Sequence, residues 1–390
     1  MERNDLDHAQ SGSALTPEAP ITTPARRQFI ARGSLGVAAL AAPAIVSAKD
    51  TYKWRFQSTW PVKFLYHEFA VDWTRIVQDL SGGRIQIQML PANSIVPGLQ
   101  VIDAVHKGVL DGAHAIPGFW FGKNTAFGLY GAGPDFAMGP NQMLGWIEQG
   151  GGKELFAQIQ AAAGLNLHSF LFGPVPCEPL GWFSKEIRTP EDLKGLKFRT
   201  AGLAVDMFKK LGVSAVQMAP ADIVPSIDRG VLDGAEFASA SDDRIMGFPD
   251  VAKFYLQKSY HQANNFCEIM LNKDTYQELP DDLKAILNYA SHAASAAMAW
   301  KAMDRMSTDY LYLESEAKVN TYETPEPILK AQLEAWDAVV EQRSTENPLF
   351  AKVIESQRKW AERVMYWENA VTVSSPMAYD HYFGKGPSKS

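Results

Sequence analysis

The string Gly-Val-Leu-Asp-Gly-Ala occurs twice, at Gly108–Ala113 and Gly230–Ala235, and it constrains the fold more than any other stretch of this chain. Each copy closes a longer block, VIDAVHKGVLDGAHA over Val101–Ala115 and IVPSIDRGVLDGAEF over Ile223–Phe237. In both, apolar residues at helical spacing (Ile102 and Val105; Ile223 and Ile227) precede a glycine suited to the left-handed stop of a helix. An apolar pair, an Asp-Gly turn and a strand follow. Two distant copies are too few for a solenoid, so they read as one unit used once in each of two lobes. Superposing them pairs His114 with Glu236, where each strand leaves its turn. Polar groups at strand ends are where α/β proteins place ligands, so the repeat predicts a cleft between two similar lobes.

The flanking pattern agrees. Tyr52–Thr59 alternates as a strand, His67–Leu80 has helical spacing and stops at Ser81-Gly82-Gly83, and Arg84–Leu90 alternates again. Met143–Gln160 reads as a helix broken at Gly150-Gly151-Gly152. The order then recurs: strands at Leu180–Phe183, Leu196–Thr200 and Val213–Met218, a helix at Val205–Leu211, and a crossing strand at Asn264–Asn272. This alternation means α/β with parallel neighbours. From Pro280 to Trp367 the pattern turns almost wholly helical, in Asp281–Lys318, Glu326–Gln342 and Leu349–Trp367, for packing across the body or for self-association. The expected division is a leader over 1–48, one lobe from 49–175 with 263–300, a second from 176–262, and C-terminal helices over 301–390.

The leader has the three parts of a secretory signal: Arg26-Arg27-Gln28-Phe29-Ile30, the 13 small and apolar residues of Ser34–Val46, and Val46-Ser47-Ala48 as a cleavage site. The apolar run is too short for a membrane span. Its arginine pair resembles a twin-arginine signal, which exports folded proteins to the periplasm. A net charge of −7 argues against nucleic acid and anionic membrane surfaces as partners. Cys177 and Cys267 are the two cysteines, without a CxxC or a Cys/His cluster, so zinc and iron–sulfur sites are not expected. Export permits a disulfide between them; the preferred reading is two buried free thiols.

Enzyme signatures are missing: there is no HExxH, no GxSxG elbow and no GxGxxG after a strand. Gly150-Gly151-Gly152-Lys153 fails as a P-loop because Glu154 stands where Ser or Thr must reach Mg²⁺. Asp242-Asp243-Arg244 reads as a solvated turn or structural ion pair. Arg199 lies in LKFRT, whose Leu196 and Phe198 face a core, so the guanidinium faces the other way. There it either pairs with a structural carboxylate or clamps a ligand carboxylate with two prongs. Glu236 opens a strand end rich in Ala and Ser, and either faces the ligand space or pairs with Lys or Arg across the lobe.

The stretches FQSTWP, GFWFGK, WIEQGGGKEL, LGWFSKEIRTPEDLKGLKFRTAG, DRGVLDGAEF and MLNKDTYQELP resemble solute-binding proteins of the tripartite ATP-independent periplasmic (TRAP) transporters, dicarboxylate-binding type. The resemblance runs through the chain after the leader, and within the family it is closest to the subgroup that binds 2-oxo or 2-hydroxy monocarboxylates with a metal cation. It implies a two-lobed periplasmic-binding-protein fold, hinge strands, a long helix spanning both lobes and closure over the ligand. By resemblance, Arg199 matches the arginine that holds the ligand carboxylate, while Glu236, the carbonyl of Phe237 and Gln262 match cation ligands. Glu178 stands where Gln is usual, Phe119 where Tyr is frequent, and Trp60 supplies an aromatic wall. If Glu178 and Glu236 share one cation, the hard, charged oxygen set suits Ca²⁺ better than Na⁺. The resulting expectation is a binding subunit without catalytic activity that delivers a small organic acid to TRAP membrane subunits, with a homodimer as a further expectation. The alternatives are a sugar-acid or aromatic-acid binder of the same class and an exported enzyme acting on an organic acid.

Overall fold

The computed structural model describes residues 50–175 and 177–384; the leader and Pro176 lie outside the described residues. The chain opens with β1 (Tyr52–Ser58), α1 (Leu65–Leu80), β2 (Ile85–Leu90), α2 (Val101–His106) and β3 (Gly112–Ala115). Alternation in β1 buries Trp54 and Phe56, and the apolar stripe of α1 buries Phe69, Trp73 and Val77 against them. After an aromatic 3₁₀ segment come α3 (Pro140–Gln149) and α4 (Gly152–Ala162), parted at Gly151, whose φ of +88° ends one helix and starts the next. Next are β4 (Leu167–Val175), β5 (Gly181–Phe183), α5 (Pro190–Leu193), β6 (Lys197–Arg199), α6 (Ala204–Lys210), β7 (Ser214–Val216), α7 (Pro220–Asp228) and β8 (Gly234–Ala235). The remainder is α8 (Ala240–Met246), α9 (Phe248–Val251), β9 (Phe254–Gln257), β10 (Asn265–Asn272), α10 (Lys273–Gln277), α11 (Asp281–Ser315), β11 (Asn320–Glu323), α12 (Glu326–Glu346), α13 (Pro348–Val371) and α14 (Ser375–Phe383).

Two sheets form, ordered β2-β1-β3-β10-β4 and β7-β6-β8-β5-β9-β11. In each, the three strands of the repeat run parallel and the next strand is antiparallel. The duplicated string explains the likeness. Gly108 and Gly230 stop α2 and α7 at φ +71° and +70°. Asp111 Oδ2 accepts from the Arg55 N–H at 2.7 Å, and Asp233 Oδ2 accepts from the Lys197 N–H at 2.8 Å. Each aspartate thus accepts from a backbone N–H of the neighbouring parallel strand and ties the turn to it. Gly112 pairs with Phe56, and Gly234 with Phe198.

The chain passes between the sheets by two short crossings, β4–β5 and β9–β10, and a third time through α11, which runs along both lobes. At about 1.5 Å per residue its 35 residues span about 52 Å. Ser291 Oγ accepts from Trp73 Nε1 at 3.0 Å and Ser295 Oγ from the Gly173 N–H at 3.1 Å on one lobe; Asp309 pairs with Arg244 at 2.7 Å on the other.

Three expectations are corrected. The region after Pro280 contributes β11, which pairs parallel with β9 at the edge of the second sheet. Asp242 and Asp243 are buried in the first turn of α8: Asp242 accepts from the Leu65 N–H at 2.8 Å, and Asp243 from Trp182 Nε1 at 2.8 Å and the Tyr255 hydroxyl at 3.2 Å. Burial lifts both carboxyls to about 7. Both cysteines are free, but only Cys267 is buried; Cys177 is exposed on the first crossing.

Candidate functional site

The site forms where the parallel strands end and the crossings begin. Arg199 ends β6 beside Ala235 of β8, so Glu236 lies one step beyond the paired strand. Arg199 Nη1 donates to the Glu236 carbonyl at 2.8 Å and lies 3.3 Å from Glu236 Oε1, while Nε donates to the Met218 carbonyl at 3.3 Å. Its guanidinium carbon stands 5.6 Å from the centre of the Phe237 ring. Both charged side chains are 2% exposed. The carboxylate that Arg199 meets is on the adjacent strand of its own sheet, not across the lobe.

Glu178 and Gln262 sit on the two crossings and tie them together. The Glu178 N–H donates to the Gln262 carbonyl at 3.1 Å, and Gln262 Nε2 donates back to Glu178 Oε1 at 2.7 Å. Asn265 Nδ2 adds a bond to the same oxygen at 3.1 Å. Glu178 Oε2 is buried without a partner. A carboxylate oxygen of Glu178, one of Glu236 and a ring nitrogen of His261 all lie within 4.8 Å of one another.

Electrostatics make this arrangement unstable by itself. Burial, then the charge of Glu236, pushes the Glu178 carboxyl well above its ordinary 4.5. Burial raises Glu236 as well, and Arg199 opposes the shift. Two adjacent buried carboxylates beside one guanidinium call for a proton or a cation, and Glu178, farther from Arg199's help, is the one that takes the proton. Burial lowers the His261 imidazole to about 3, so it is neutral and able to ligate. The oxygens of Glu178, Glu236 and Gln262 therefore fit a metal cation, which would use the orphaned Glu178 Oε2.

All seven residues singled out from the sequence line one cavity of about 20 Å³: Trp60, Phe119, Glu178, Arg199, Glu236, Phe237 and Gln262. The sequence reading missed Tyr66, Ile116, Ala201, Ala238 and Asn265 in the same lining, and His261 beside it. Trp60 stacks on Tyr66 at 4.8 Å and meets Phe119 at 5.9 Å, closing the apolar side. Tyr66 restores a phenol to a wall where Phe119 has none. A volume of about 20 Å³ holds about one water. His114, the repeat's counterpart of Glu236, does not line the cavity; its Nδ1 lies 3.2 Å from Ser58 Oγ and its ring packs against Trp60.

Comparison with known proteins gives the geometry its context. Residues 56–347 match the family model described as bacterial extracellular solute-binding protein, family 7 (DctP). A monocarboxylate 2-oxoacid-binding periplasmic protein of Nostoc sp. is 28% identical over 324 residues, covering 83% of this chain and 87% of the relative. A TRAP periplasmic solute-binding protein from Colwellia psychrerythraea, solved with calcium and pyruvate, is 28% identical with a TM-score of 0.78, covering 86% of this chain and 100% of that one. One from Pseudoalteromonas atlantica, solved with sodium and pyruvate, has the same identity, TM-score and coverage. The family match, covering most of the chain, and the shared two-lobed fold lead to one conclusion: this chain belongs to the bacterial extracellular solute-binding protein family 7, as a solute-binding subunit of the TRAP class.

Proposed function

We propose that this protein captures a small 2-oxo or 2-hydroxy monocarboxylate in the periplasm, together with a metal cation, and presents it in the closed form to TRAP membrane subunits. The observation that carries the reading is the convergence of Arg199 with Glu178 and Glu236 in one buried cavity at the crossings. Arg199 holds the acid's carboxylate. Glu236, Glu178, Gln262 and the Phe237 carbonyl face the cation, and Trp60 and Phe119 wall the apolar side. The oxygen donors and their charge favour Ca²⁺ over Na⁺. The relatives solved with pyruvate and calcium or sodium support the acid and the cation. The relatives solved with pyruvate favour a small acid over a sugar acid, and no activated nucleophile supports an enzymatic reading. Differential affinity for the closed state drives closure. The arginine pair of the leader supports export in folded form.

A pyruvate-sized acid of about six heavy atoms gains at most ~9 kcal/mol, a Kd of about 0.3 μM. Calorimetry with pyruvate tests the reading in chelator, in Na⁺ and in Ca²⁺, on the wild type and on Arg199→Ala. Binding should need a cation and weaken ~30-fold to several-thousand-fold in the variant, from the ~2–5 kcal/mol cost of an unpaired buried charge. Affinity that ignores both the cation and the substitution would remove these residues from the site.

We also propose a homodimer, built by exposed apolar residues of α11, α13 and α14. No residue from 362 to 384 is buried, yet this arm carries Tyr366, Trp367, Met377, Tyr382 and Phe383. A second copy offers it a matching apolar face.

A further inference from the structure

Helix α1 belongs to the first lobe, yet the oxygen that caps it comes from the second. Phe64 stands at the N-cap position and its side chain offers no acceptor, so the first N–H groups of α1 lack a cap from their own segment. The Leu65 N–H donates instead to Asp242 Oδ1 of α8 at 2.8 Å, in a buried bond between residues 177 apart. Asp242 is 0% exposed, and the neighbouring Asp243 is fixed to the second sheet by Trp182 of β5 and Tyr255 of β9. α11 holds the two helices separately, pairing Lys301 with Asp72 of α1 and Asp309 with Arg244 of α8. The Leu65–Asp242 bond joins them directly. Phe64 continues the same seam: its ring meets Phe237 at 5.7 Å, and Phe237 stands 5.6 Å from the Arg199 guanidinium. Contact between the lobes thus runs from the binding residues, through two rings, to the start of α1.

We propose that Asp242 is a positioning residue for ligand capture: it latches α1 of one lobe to α8 of the other in the closed form, and so sets how long the acid stays bound. It does this without touching the acid, since it does not line the cavity. The inference rests on capture by closure, as proposed above, and assigns a contact that holds the closed form together. Parting the lobes breaks the bond and returns the cap position of α1 to water. A bond made only in the closed form lowers the energy of that form alone, so it slows release and leaves the rate of encounter unchanged. The carboxyl is otherwise an odd choice for this place, because its second oxygen, Oδ2, is buried without a partner. The bond from Oδ1 to Leu65 is what the residue supplies.

The test uses the full exported chain with pyruvate in excess Ca²⁺. Stopped-flow tryptophan fluorescence reads association and dissociation, with Trp60 in the cavity wall as a reporter. Asp242→Ala should release pyruvate at least about tenfold faster, with association within about twofold of wild type. Asp242→Asn keeps an accepting oxygen and should stay within about threefold of wild type in both rates. Equal dissociation rates in wild type and Asp242→Ala overturn the inference, and so does an Asn variant that releases as fast as the Ala variant. Hydrogen exchange on the wild type needs no variant to fold. Its Leu65 amide should exchange at least about tenfold more slowly with pyruvate bound than without, and equal exchange overturns the latch. Wild type that binds pyruvate while these measures fail leaves the earlier reading standing; wild type that binds no pyruvate defeats that reading, and the latch with it.

Discussion

Glu268 illustrates what a single buried acid does to this protein. It lies inside β10, where Ser169 Oγ donates at 2.7 Å and Gln160 Nε2 at 3.3 Å to one oxygen, and Trp120 Nε1 donates at 3.0 Å to the other. Burial outweighs these three donors and lifts the carboxyl from its ordinary 4.5 to about 7. The folded protein therefore holds a proton that the unfolded chain releases at lower pH. The stabilisation is complete below 4.5 and is lost as pH rises through about 7. That window corresponds to roughly 3 kcal/mol. Asp242 and Asp243 act in the same direction. Unfolding free energy should thus fall between about pH 4.5 and about pH 7, and Glu268→Gln should make the fall smaller by about that amount. Urea titrations across the range decide it, and an unchanged slope in the variant would clear Glu268 of the effect. At this scale the sequence was informative where strand register does the placing. Arg199 ends one strand opposite Ala235 of its neighbour, and Glu236 is the next residue. His261, Asn265 and Tyr66 gave no such signal. The Glu178–Gln262 bond joins residues 84 apart on two crossings, and local periodicity carries no trace of that pairing.

At the level of elements, the repeat's two glycines serve different physical needs, and substitution separates them. Gly230 turns the chain at φ +70° with no atom within 4 Å of the point a Cβ would occupy, so alanine there meets only backbone strain, about 1 kcal/mol. Gly234 lies in β8, where a Cβ would fall 2.5 Å from the Trp182 carbonyl oxygen of β5. That neighbour is backbone, so the strand pair itself must shift, at a cost of about 3 kcal/mol. Denaturant midpoints for Gly230→Ala and Gly234→Ala should rank in that order, and equal penalties would contradict the close-approach argument. The same contrast explains which elements could be read beforehand. The parallel strands and α11 announced themselves through alternation, turn glycines and a long glycine-free run. β9 and β11 did not, because four-residue strands at a sheet edge owe their existence to each other across the chain, Asn320 opposite Phe254, and not to a pattern of their own. The acidic pair on α8 looked solvated for a similar reason: its donors, Leu65, Trp182 and Tyr255, arrive from three distant segments.

For the molecule as a whole, the C-terminal arm is the feature that the folded body leaves unexplained. α13 is anchored through Phe350, Val353, Ile354 and Ala361, and then runs on with Tyr366 81% and Trp367 60% exposed. α14 follows with no buried residue, although Met377, Tyr382 and Phe383 are large and apolar. On α11, Tyr289, Trp300, Met303 and Leu311 are likewise exposed, and at 3.6 residues per turn they fall within about 80° of one another on one stripe. One chain cannot leave both faces in water without a large hydrophobic penalty, and two copies can cover them reciprocally, the arm of each against the stripe of the other. Ending the chain after Ala361 should give a folded monomer with unchanged affinity for its acid, because no arm residue lines the cavity. Trp300→Glu should have the same effect from the other side of the interface. Light scattering reads the mass of each. A full-length chain that has the mass of one copy at every concentration, or a truncated chain that keeps the mass of two, would show that the arm does not make the dimer. The thermal midpoint supplies the independent check: for a dimer it rises with protein concentration, and in the truncated chain that dependence should vanish.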